Sequence, residues 1–143
     1  MRVAVLACIF LAPSILGAAE PSTPTPPVPM NPRCLAEAKR DLDEYFRNEF
    51  HAREVFIDIE PVFVSRTKDS QRPAYYLWLR VSTADAQMYQ SGAARVTTGE
   101  DLKCNVTGFI PKKDILALRE RLGTYFPPEL VPKILLLAET PQK

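Results

Sequence analysis

Histidine is nearly missing from this sequence: His51 is the only one in 143 residues. That excludes a multi-histidine metal site and leaves any Ser-His-Asp or Cys-His arrangement dependent on one ring. Glycine is scarce, at five, and Gly92 and Gly99 stand isolated, outside any glycine-rich loop that cradles a phosphate. Charge of one sign is lacking as well. Eighteen Lys+Arg against seventeen Asp+Glu leave a net charge of +1, with no basic excess for a nucleic-acid backbone and no acidic tail. The three cysteines include no Cys-x-x-Cys pair, and no apolar run reaches the ~20 residues of a membrane-spanning helix. Neither a metal nor a cofactor is expected.

What is present begins with an address. Met1-Arg2 precedes the apolar run Val3 to Ala12, Pro13 breaks that run, and Gly17 and Ala19 stand at the −3 and −1 positions of a cut before Glu20. This is the anatomy of a cleaved signal peptide over residues 1–19. Pro13 comes too early for a retained anchor, and Cys8 has too few residues before it for a lipoprotein signal. A secreted or periplasmic location is therefore expected, with no integral span after cleavage. Arg2 and Cys8 leave with the leader, so charge falls to zero and Cys34 and Cys104 remain. An even pair in an oxidising compartment is most simply a disulfide.

Residues 20–32 hold six prolines in thirteen positions and are expected to form an extended, flexible spacer. Pro24-Thr25-Pro26-Pro27 loosely fits a groove-binding register, but export separates it from cytosolic groove domains. Residues 33–143 are expected to form a single α+β domain: a long N-terminal helix packed on an antiparallel sheet of about four strands, with a C-terminal helical segment. Asn31-Pro32 is a helix start, and Leu35, Ala38, Leu42, Tyr45, Phe46 and Phe50 recur at helical spacing. Cys34 lies on the flank of that stripe. His51 falls at the helix C-terminus, where a structural role is the expectation.

Period two then takes over. Val55, Ile57 and Ile59 alternate with Phe56, Asp58 and Glu60, and Pro61 demands an edge or a bulge. Tyr75, Leu77, Leu79 and Val81 alternate with Tyr76, Trp78, Arg80 and Ser82. Residues 83–90 read as either a helical turn or a wide loop. Strands are expected over 93–98 and 102–110, with Cys104, Val106, Gly108 and Ile110 on one face and Asn105, Thr107 and Phe109 on the other. Cys104 then faces the first helix, which predicts a Cys34–Cys104 bridge from helix to last strand. Pro111 opens a second helix carrying Ile115, Leu118 and Leu122, with Gly123 as its stop. Residues 133–138 are read as a short helix. A helix on a curved antiparallel sheet resembles cystatin-like folds in architecture alone. The Gln-x-Val-x-Gly inhibitory loop is absent, so no protease inhibition is implied.

Three functional classes follow. Phe56, Tyr76, Trp78, Arg80, Arg95 and Phe109 form an aromatic–arginine set on the sheet face away from the first helix, a composition enriched at protein interfaces. The leading expectation is thus an exported, non-enzymatic protein-binding module (inhibitor, immunity factor or assembly subunit) whose partner is another protein rather than nucleic acid. The same face is equally compatible with a cover of C-terminal helices, which makes Tyr76 and Trp78 core residues. The alternatives are a carrier of a small apolar ligand in a cavity lined by Leu77, Leu79 and Val106, and an acid–base enzyme using Asp58 and Glu60, two carboxylates on one strand face. Asn105-Val106-Thr107 is a glycosylation sequon for a eukaryotic exported chain.

Overall fold

The computed structural model describes residues 28–65 and 72–141, so the leader-like segment and most of the proline-rich stretch lie outside the described residues. The order is α1 (Pro32–Phe50), β1 (Val55–Ser65), β2 (Ala74–Thr83), β3 (Tyr89–Thr98), β4 (Cys104–Pro111), α2 (Lys112–Ala117), a 3-10 turn (Arg119–Thr124) and α3 (Val131–Glu139). The four strands form one antiparallel sheet in the order β1-β2-β3-β4. This is the expected α+β arrangement. No helix among the described residues is long and apolar enough to cross a membrane.

Helix α1 starts where the sequence indicates. The Asn31 side chain accepts the Arg33 N–H at 2.9 Å and Pro32 occupies the first turn, satisfying an amide that has no partner inside the helix. Its buried stripe is Cys34, Ala38, Leu42 and Phe46, a strict four-residue step. Cys34 is therefore in the stripe rather than on its flank, and Tyr45 falls on the rim, 49% exposed. His51 ends the helix in the left-handed conformation at φ 50°, which makes it a structural cap.

The sheet separates two cores. On one side α1 packs against Leu77, Leu79, Val81, Ala94 and Val96. On the other, α2, the 3-10 turn and α3 cover Tyr76, Trp78, Ala93 and Val62 through Ile115, Leu122, Leu130 and Ile134. The two β2 faces are thus both buried, which is why residues 75–79 form an uninterrupted apolar run instead of an amphipathic alternation.

Two bulges set the facing of the side chains. At Pro61, on the edge strand β1, the register with β2 slips between Pro61 and Phe63; both the edge position and the irregularity follow from the missing amide. On β4, Arg95 pairs with Gly108 and Val96 with Val106, so Thr107 is an extra residue and the alternation beyond it reverses. Phe109 consequently faces α1, with its ring 5.1 Å from Phe46, and Ile110 faces the C-terminal helices. This corrects the expected assignment of both residues.

Two further boundaries differ from expectation. Ala84 to Ala86 form a tight turn, closed by the Ala86 N–H to the Thr83 carbonyl at 2.9 Å, and β3 begins at Tyr89 instead of Ala93. Helix α2 gives way to the 3-10 turn after Ala117, and Gly123 lies inside that turn with no left-handed φ, so it does not terminate a helix. The tightening keeps Ile115 and Leu122 on the same buried side.

Cys34 and Cys104 form the disulfide, with Cα atoms 5.1 Å apart. Glu37, one turn along α1, accepts the Cys104 N–H at 2.8 Å and the Arg33 guanidinium N–H at 3.1 Å. The Cys104 bond is the main influence holding the Glu37 carboxyl below its ordinary value of 4.5; partial desolvation opposes it and Arg33 adds to the lowering. Helix and last strand are thus joined by a covalent bond and a charge-assisted hydrogen bond side by side.

Candidate functional site

The six residues expected to bind a partner do not share one surface. Tyr76 and Trp78 are 5% and 1% exposed beneath the C-terminal helices, and the alternative in which that layer covers the face is the one observed. Tyr76 stacks edge-on against Phe126 at 6.1 Å. Phe56 remains exposed on β1. Arg80 is engaged within the chain: its guanidinium donates to Asp58 at 2.8 Å and to Glu60 at 3.0 Å. The hydrogen bond that Arg80 donates to Asp58 leads in raising the Arg80 pKa, desolvation opposes it, and Glu60 adds to the rise. Asp58 and Glu60 do share a strand face, but they converge on this counter-charge and on solvent. The space between α1 and the sheet, where an apolar ligand was a possibility, is filled by Leu42, Phe46, Leu77 and Leu79, all fully buried.

Arg95 and Phe109 come together at the other side of the molecule, on either face of the β4 edge. Among the described residues strand β4 pairs with β3 alone, so the backbone groups directed away from β3 have no strand partner there. The first of them, the Cys104 N–H, is taken by Glu37. Beyond it Gly108 is exposed, and a Cβ built there meets nothing within 4 Å.

A groove lies on each side of this edge. The first, about 400 Å³, runs between α1 and β4 and is lined by Asp41, Leu42, Tyr45, Val106 and Phe109. Its wall is aromatic, with Tyr45 at 6.5 Å from Phe109 and at 5.0 Å from Phe46. Asp41 in that groove is already paired with Arg40 at 3.0 Å. The second, about 310 Å³, lies on the opposite face and is lined by Arg95, Ile110, Tyr125 and Phe126. Tyr125 is 48% exposed. Arg95 makes no ion pair among the described residues. Gly108 and Phe109 line both grooves.

The opposite edge is blunted. Strand β1 carries Pro61 and a bulge, and the Val62 carbonyl receives the Lys133 ammonium at 3.2 Å. Sequence reasoning missed Tyr45 and Tyr125 as surface aromatics. Tyr45 carried a readable signal, since it stands off the 34–38–42–46 step, whereas Tyr125 gains its place only through the folding of the C-terminal layer. Asn105 of the sequon is exposed on β4. Among the described residues no group of His, Cys, Asp and Glu converges to hold a metal ion. Comparison of the chain with protein-family models, with curated proteins and with solved structures gives no match.

Proposed function

We propose that this chain is an exported, non-enzymatic protein-binding module that takes its partner on the β4 edge. The observation that carries the reading is the open edge at Gly108 with an aromatic groove on one side and, on the other, Arg95, which has no ion-pair partner among the described residues. Aromatic and arginine side chains around a concavity are the groups that dominate binding energy at protein interfaces. This reading keeps two of the sequence-selected residues, Arg95 and Phe109, and drops Tyr76 and Trp78, which are buried. Export is supported by the leader-like residues 1–19 and by the Cys34–Cys104 bond, a linkage of oxidising compartments.

The test is site-directed capture. Gly108 is the site for a photo-crosslinking amino acid, because it is exposed and an added Cβ there meets nothing within 4 Å. Exposed to the secreted or periplasmic fraction of the source cells, it is expected to trap one discrete protein, and Arg95→Glu is expected to abolish the adduct without lowering the melting temperature. The same crosslinker at Phe56 is expected to trap nothing. An adduct that forms equally from Phe56, or that ignores Arg95→Glu, refutes the assignment.

A further inference from the structure

We propose that the partner enters as an added β-strand: an extended segment with alternating apolar and acidic side chains, paired with β4 and seated in both grooves at once. This rests on the preceding reading and adds the mode and the chemistry of recognition.

An edge strand offers its outward N–H and C=O groups to any extended chain, and on β4 that offer is already accepted once, by the Glu37 carboxylate at the Cys104 N–H. That contact marks one end of the outer edge of β4, which continues through the bulge at Thr107 to Ile110. On β1 the equivalent offer is interrupted at Pro61, which has no amide to donate, and at the Val62 carbonyl, which Lys133 occupies.

Side-chain chemistry then fixes the pattern. Successive residues of a strand point to opposite faces, and the two grooves flank the same two residues, Gly108 and Phe109. One ligand side chain therefore enters the groove of Leu42, Tyr45 and Phe109, and its neighbour enters the groove of Arg95 and Tyr125. The first groove suits an apolar group, because Leu42, Tyr45, Val106 and Phe109 line it and its one charged residue, Asp41, is paired with Arg40. The second suits a carboxylate, because Arg95 has no counter-ion among the described residues, and a charge-assisted hydrogen bond to it is stronger than a neutral one.

The experiment uses the oxidised, isotope-labelled chain and four capped eight-residue probes. These are an alternating valine–glutamate peptide, an alternating valine–lysine peptide, and the valine–glutamate peptide N-methylated at every second amide in each of the two possible frames. The valine–glutamate probe is expected to bind at millimolar concentration or below and to slow hydrogen exchange at β4 amides. The lysine version is expected to bind at least about tenfold more weakly. One N-methylated frame, the one whose amides face β4, is expected to lose binding while the other keeps it. Absence of binding, equal binding by both N-methylated frames, or protection away from β4 overturns strand addition. If the Arg95-dependent adduct at Gly108 forms in spite of such a result, partner binding stands and only the strand mode falls. If that adduct is also missing, both readings fall.

Discussion

Removal of the disulfide offers the sharpest test of how the first half of the molecule is held. The Cys34→Ala/Cys104→Ala double variant opens a loop with a sequence separation of 70, which encloses most of α1 and all of β1, β2 and β3. For that loop the chain-entropy model gives ~4 kcal/mol of lost stability. Against the ~5–15 kcal/mol that separates native from unfolded states in ordinary domains, this is a large share. The variant is still expected to fold, because Glu37 retains its bond to residue 104 and the stripe of Ala38, Leu42 and Phe46 keeps its contacts. In equilibrium urea denaturation, with a slope of ~1–3 kcal/mol/M for a domain of this size, the midpoint is expected to fall by about 2 M. A thiol titration of the folded wild-type protein is expected to find neither Cys34 nor Cys104 free. A midpoint shift below about 0.5 M, or a titratable thiol from either residue, refutes the reasoning.

Trp78→Ala removes the largest fully buried side chain and is expected to cost ~3–5 kcal/mol in the same assay; a loss under 1 kcal/mol contradicts its placement beneath the C-terminal layer. Gly92→Ala places a Cβ 2.2 Å from the Ile110 carbonyl oxygen and is expected to destabilise by ~1–3 kcal/mol through forced separation of β3 and β4, whereas Gly123→Ala, with open space around it, is expected to be neutral or slightly stabilising. The folded pKa of Glu37 is depressed, so its contribution is fully present above the unfolded carboxyl value and lost as pH falls through the folded one. Wild type is expected to exceed Glu37→Gln in melting temperature at pH 7, with the gap closing below about pH 4; a gap independent of pH refutes the role of the Cys104 contact.

Much of the architecture was legible because it rests on local signals. Asn31-Pro32, the apolar residues at three- and four-residue steps, the period-two runs and the inward facing of Cys104 together led to α1, to the antiparallel sheet and to the disulfide. The site was less legible. The bulge at Thr107 is produced by how β4 meets β3; Gly108 beside it is the one local hint, since a glycine inside a strand often marks a bulge, but strict alternation was read through it, so Phe109 was placed on the wrong face. The cover over Trp78 did leave a trace, since residues 75–79 are apolar without interruption, but a run of that length reads equally as an exposed aromatic face. Tyr45 and Tyr125 belong to the site only because elements eighty residues apart in sequence meet across β4.

The boundary of the covalent loop has an optical consequence. Residues beyond Cys104, including α2 and α3, lie outside it, and their grip on the sheet is non-covalent. Detachment of this layer, as a sub-global opening below the cost of complete unfolding, uncovers the chain's single indole. Its emission therefore serves as a built-in gauge of whether the C-terminal layer is seated on the sheet.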